Sequence, residues 1–125
     1  MIQGIHHVCL KADTQENYTK AITFYTEVLG CSIKRQWDSG IMLDTGHGLI
    51  EIFNQADTPL DQGVIRHFAL ATDCVDDCVA AIQKAGYPIT VPCKEVTIPS
   101  KPPFPIRIAF CQGPMGEEIE LFQEL

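Results

Sequence analysis

The stretch Ile5 to Asp13, IHHVCLKAD, has a counterpart at Ile65 to Asp73, IRHFALATD, so the pattern I-x-H-x-x-L-x-x-D occurs twice. An imidazole is a common metal ligand, and a repeated one calls for carboxylates to accompany it. They lie in a second repeat, in which Ile50 to Asn54, IEIFN, matches Ile119 to Gln123, IELFQ. His7 then corresponds to His67, and Glu51 to Glu120. The histidine-to-glutamate spacing is longer in the second half, and the surplus falls in a proline-rich segment from Ile98 to Pro105, IPSKPPFP. A duplicated unit accounts for both matches.

Two neutral imidazoles and two carboxylates make a competent set for one divalent cation, because the two negative charges balance the charge of the ion. Without a cation the same cluster is costly, since close carboxylates repel and raise one another's pKa. Taken alone, a strand histidine is more often a hydrogen-bonded core residue, and a strand glutamate more often faces water. The repetition is what makes the four informative as a set. His6 is expected on the opposite strand face from His7, and His47 lies in a Gly-His-Gly turn, so both are read as structural or solvent-exposed.

These residues must be positioned by regular elements. From Thr14 to Leu29 the apolar residues Ala21, Ile22, Phe24, Tyr25, Val28 and Leu29 recur at helical spacing, and Gly30 stops the run. In the second half Asp73 is expected to cap a helix whose stripe is Val75, Val79, Ala80, Ile82 and Ala85, ended by Gly86. Short strands are expected at Ser32 to Trp37, Ile41 to Asp44, Leu49 to Asn54, Ile89 to Cys93, Ile106 to Cys111 and Glu118 to Gln123. The segment from Ile98 to Pro105 reads as a loop or lid, because proline removes ladder donors. Each half is thus βαβββ, an α+β arrangement, within a single domain of residues 1–125. The first module covers about 1–56 and the second about 63–125, joined by Gln55 to Gly63. Strand alternation puts His7 with Cys9 and Lys11, and Glu51 with Leu49 and Phe53, on the face away from the helix. Pseudo-two-fold packing of the halves would let all four ligands converge.

The chain resembles the vicinal oxygen chelate superfamily, which includes glyoxalase I, methylmalonyl-CoA epimerase, fosfomycin and bleomycin resistance proteins and extradiol dioxygenases. Besides the histidine and glutamate repeats, Ala21 to Gly30, AITFYTEVLG, looks like its first-helix signature, and Phe110 to Phe122 like its closing strand pair. The resemblance implies two βαβββ modules forming a curved, mixed eight-stranded sheet around a metal cavity. It also implies one divalent ion, nickel, zinc, cobalt, manganese or iron, held by His7, Glu51, His67 and Glu120. The complete His-Glu-His-Glu set looks most like glyoxalase I, the lactoylglutathione lyase. The implied activity is isomerisation of a hemithioacetal or related α-oxygenated carbonyl compound through an enediolate, with Glu51 or Glu120 as base. Lys11 stands where bacterial glyoxalase I has an arginine and Gln55 where it has an asparagine, both of which help hold glutathione in the family. Lys11, Lys101 and Arg107 are the candidate contacts for an anionic substrate group. The alternatives are a non-catalytic binding or resistance protein and an iron(II) extradiol-type dioxygenase.

Composition narrows the partners. A chain of 125 residues with 46% hydrophobic side chains is long enough for a proper core. Its net charge of −7 disfavours nucleic acid, whose affinity depends on lysine and arginine displacing counterions. No run is long and apolar enough to span a membrane, and no signal pattern opens the sequence, so no membrane partner and a cytoplasmic location are expected. The six cysteines form no C-x-x-C and are read as buried free thiols. A homodimer is expected, because relatives of this length pair modules from different chains and an open cavity excludes water poorly.

Overall fold

A computed structural model of the chain describes residues 5–54 and 67–125. The chain divides into two compact units, Met1–Asp61 and Gln62–Leu125. The linker from Gln55 to Gly63, and Ile65 and Arg66 of the repeated strand, lie outside the described residues.

In the first unit, β1 (His7–Lys11) leads into α1 (Gln15–Thr23), followed by β2 (Ser32–Trp37), β3 (Gly40–Asp44) and β4 (Leu49–Phe53). The sheet order is β1-β4-β3-β2, with β1 parallel to β4 and the other pairs antiparallel. Thr14 caps α1 by accepting from the Asn17 backbone N–H, leaving one fewer orphan donor at the helix start. The expected helix to Leu29 changes character at Phe24, where a π-helical turn runs through Val28 and the Leu29 N–H reaches back to the Phe24 carbonyl. This wider turn leaves both Phe24 and Tyr25 fully buried. Gly30 then adopts a φ of 76°, which a side chain with a Cβ resists. On the sheet, Ile41, Leu43, Ile50 and Ile52 share one face and are buried, whereas Met42 and Glu51 alternate onto the other.

The second unit repeats the order: β5 (Phe68–Ala71), α2 (Val75–Lys84), β6 (Ile89–Ile98), β7 (Phe104–Gln112) and β8 (Glu118–Glu124). Its sheet runs β5-β8-β7-β6, again with the first and last strands parallel. Both units therefore have the βαβββ order expected from the sequence, built as two four-stranded mixed sheets. Helix α2 packs on β6, β7 and β8. Val75, Ile82, Ala109, Cys111, Ile119 and Leu121 are the buried residues on this side.

Three details depart from expectation. Cys74, not Asp73, occupies the N-cap of α2 and gives no side-chain hydrogen bond; the Val75 N–H instead donates to Gln123 Oε1 at 3.3 Å. The loop expected from Ile98 to Pro105 is confined to residues 99–103, because its two ends join β6 and β7 as a hairpin, with Thr97 opposite Pro105 and Ile98 opposite Phe104. Its prolines are tolerated because Pro102 and Pro103 sit in the turn, while Pro105 presents a carbonyl that accepts from the Leu125 N–H. Pro92 likewise falls at a register shift between Val91 and Lys94 on edge strand β6. Only Cys111 of the six free cysteines is buried, and Cys9 is exposed.

Candidate metal centre

The parallel β1–β4 pair sets Cys9 opposite Glu51 and His7 opposite Leu49. His7 and Glu51 are thus diagonal neighbours on one face, and His7 Nε2 lies 3.3 Å from Glu51 Oε2. The second unit repeats this relation. His67 directly precedes β5, Ala69 lies opposite Glu120, and His67 Nε2 lies 3.0 Å from Glu120 Oε2. Both carboxylates are largely sheltered, with side chains 12% and 13% exposed, and the imidazoles less so, at 36% and 27%.

Two ligands bound at about 2.1 Å and at right angles around an ion are about 3.0 Å apart. Each pair matches that spacing, so each fits two neighbouring positions of a divalent metal's shell. Among the described residues no three His, Cys, Asp or Glu side chains gather into a metal-holding group. Each unit by itself offers two donors, half of the expected set.

The surroundings of the two pairs differ. Met42 lies opposite Glu51 on the third strand, and Phe110 takes the corresponding place opposite Glu120. The Phe110 ring meets the His67 ring edge to face, with centroids 5.1 Å apart. Phe110 belongs to a cluster with Ile106 and Ile108, joined by Phe104 and Phe122, so the face that carries Glu120 is strongly apolar. Among the described residues the buried His67 Nδ1 has no hydrogen-bond partner. In the first unit Cys9 shares the ligand face. Partial desolvation of its sulfur pushes the thiol pKa up, helped by hydrogen bonding to Glu51 and by that residue's charge, while Lys11 opposes the shift.

The three basic residues expected to bind substrate are scattered. Lys11 is exposed and shares the His7 and Cys9 face of β1. Lys101 is exposed in the β6–β7 turn. Arg107 lies opposite Gln123 and alternates away from Glu120 and Phe110, so it is on the helix side of its sheet. There its guanidinium grips both oxygens of Asp76 at 2.9 Å and reaches Glu95 at 3.3 Å. Its charge is thus engaged by Asp76 of α2 and Glu95 of β6, on the sheet face opposite Glu120. Hydrogen bonding from Arg107, then from Cys93, together with the Arg107 charge, holds the Asp76 pKa below the usual carboxylate value.

His47 is exposed in the turn closed by the Thr45 N–H and the Gly48 carbonyl, as expected. His6 is not idle: its Nδ1 lies 2.9 Å from His7 Nδ1. The alternation rule hid this contact, because His6 precedes the first residue of β1. The adjacent histidines of the IHHV sequence were the available signal.

The sequence profile of the glyoxalase/bleomycin resistance protein/dioxygenase superfamily matches residues 4–121. No curated protein matches the chain in sequence. Among solved structures, a glyoxalase/bleomycin resistance protein/dioxygenase from Alicyclobacillus acidocaldarius is 16% identical with a TM-score of 0.72, covering 98% of this chain and 92% of its own. The trypanothione-dependent glyoxalase I of Leishmania major is 24% identical with a TM-score of 0.71, over 98% of this chain and 88% of its own. A glyoxalase I variant from Zea mays is 25% identical with a TM-score of 0.75, over 94% of this chain but 43% of the longer maize chain. With the family profile spanning nearly the whole sequence and the same βαβββ order in both halves, the chain belongs to the glyoxalase/bleomycin resistance protein/dioxygenase superfamily.

Proposed function

We propose that the chain is a divalent-metal-dependent isomerase of the glyoxalase I type, with His7, Glu51, His67 and Glu120 holding one ion. One observation carries this reading: each unit presents an imidazole Nε2 and a carboxylate oxygen at the spacing of neighbouring ligands, 3.3 Å and 3.0 Å. When bound, the ion supplies Lewis-acid stabilisation for negative charge on two adjacent substrate oxygens. The chain's own chemistry is proton transfer. Glu51 or Glu120 takes the proton beside the carbonyl and returns it to the neighbouring carbon, turning a hemithioacetal into a thioester with no external oxidant. Lys11 is the first choice for an anionic end of the substrate, since it shares the His7 face, and Lys101 is the second. The apolar residues around Glu120 suit an unpolar substrate portion and a dry setting for the base.

The setting is a cytoplasmic homodimer acting on a small molecule. His7 and Glu51 of one chain meet His67 and Glu120 of the other in this arrangement. Mixing His7→Ala chains with Glu120→Ala chains then restores part of the activity, because one site of the mixed dimer is intact. A fully active monomer in sedimentation contradicts the shared site and leaves the ligand set standing.

Catalysis is tested on metal-free protein reloaded separately with nickel, zinc, cobalt, manganese or iron. The substrate is methylglyoxal with glutathione and with other thiols. The reading expects thioester formation with at least one ion. Oxygen consumption with iron(II) on a catechol, without thioester formation, favours ring opening. Ligand binding that survives metal removal, without turnover, favours a binding protein.

A further inference from the structure

We infer that His6 is a positioning residue for His7, fixing the tautomer in which His7 binds the ion; the inference rests on the metal reading above. His6 Nδ1 and His7 Nδ1 are 2.9 Å apart, with ring centroids 5.2 Å apart and nearly perpendicular planes. Two ring nitrogens at this distance share one proton: one donates and the other accepts. His7 Nε2 is the nitrogen facing Glu51, and it needs its lone pair to act as a ligand. In the neutral ring the proton is then on Nδ1, which donates to His6 Nδ1. His6 in turn carries its proton on Nε2.

The backbone makes this pairing possible. Successive residues within a strand point to opposite faces, but β1 begins at His7. The His6 carbonyl accepts from the Leu49 N–H at 3.2 Å, which anchors its main chain to the start of β4. Its ring is exposed and turns onto the His7 ring. Outer partners of this kind orient the ligating imidazole and raise its basicity. Among the described residues the second pair has no equivalent, for the buried His67 Nδ1 has no hydrogen-bond partner there and the ring meets Phe110 edge to face. The two halves thus hold their histidines by different means, one polar and one by packing.

The test compares zinc affinity of the full-length wild type with His6→Ala, His6→Asn and His6→Gln. Asparagine places an acceptor near the Nδ1 position, whereas glutamine places it near Nε2. Zinc affinity is expected to fall about tenfold in His6→Ala, the low end for an outer partner because the site is exposed. It is expected to recover in His6→Asn and to stay low in His6→Gln. Nitrogen-15 spectra of the zinc-loaded wild type should show His7 protonated on Nδ1, with a scalar coupling to His6 Nδ1 through the hydrogen bond. Wild-type affinity in His6→Ala, or equal rescue by glutamine and asparagine, overturns the role of His6 while leaving the metal site intact. Absence of zinc binding by the wild type overturns both.

Discussion

His67 Nε2 lies 3.0 Å from Glu120 Oε2, joining the residue ahead of β5 to the middle of its parallel neighbour β8. His7 and Glu51 make the corresponding contact at 3.3 Å between β1 and β4. In each case the connecting chain is a helix and two strands. The repeated side chains meet because the parallel pairing brings the beginning and end of each unit together.

The two faces of β4 should separate stability from metal binding. Ile52 is fully buried, and Ile52→Ala is expected to cost about 2–5 kcal/mol by removing apolar contacts and leaving a cavity. Glu51, next to it, faces the other side, and Glu51→Gln is expected to change unfolding little while lowering zinc affinity. Denaturant titration and zinc titration of the two variants check this. Equal stability loss in both would place Glu51 in the core network.

Arg107 and Lys11 should behave oppositely in kinetics. Lys11→Ala is expected to raise KM more than it lowers kcat, as for a contact made equally in ground and transition states. Arg107→Ala is expected to leave both unchanged and to affect acid stability instead. Because the Asp76 pKa is lowered in the folded state, the stabilisation is present above the unfolded value of about 3.9 and is lost as pH falls through the folded value. The difference in Tm between wild type and Arg107→Ala should therefore be seen near neutrality and shrink below about pH 4. The effect is small, since both groups meet solvent. A difference that grows on acidification runs against the pairing.

Thiol labelling should report the ligand face. Burial pushes Cys111 up to about 12, and the residue is inaccessible, so it is expected to resist alkylation in the native protein. Cys9 is exposed, and despite its raised pKa it should react well before Cys111 at mildly alkaline pH. Its position opposite Glu51 means that a bulky adduct should reduce zinc uptake. Peptide mass mapping combined with zinc titration tests both points. Prior zinc loading that fails to slow Cys9 labelling would count against an ion beside it.

Much of the fold was legible in the sequence because glycine stops, apolar spacing and the repeated patterns agreed. The bounds of β2, Ser32–Trp37, were read directly, and the His-Glu pairs followed from repetition and strand parity. The π-helical turn was hidden, since Phe24 and Tyr25 have the same apolar types in either helix form. The long β6–β7 hairpin was hidden by prolines that the ladder accommodates at its turn, at a bulge and at Pro105. Arg107 was legible in principle: a hairpin closing Gln112 against Glu118 sets Phe110 opposite Glu120, and parity sends Arg107 to the other face. His6 was obscured because strand alternation was extended one residue past the strand.

The most direct measurement is zinc titration with elemental analysis of the wild type and of His7→Ala, Glu51→Gln, His67→Ala and Glu120→Gln. One ion per chain in the wild type, with a sharp loss of affinity in all four variants and unchanged circular dichroism, is the expected result. Full occupancy in either histidine variant, or loss in only one pair while the other still binds its own ion, would contradict a single centre built from both pairs.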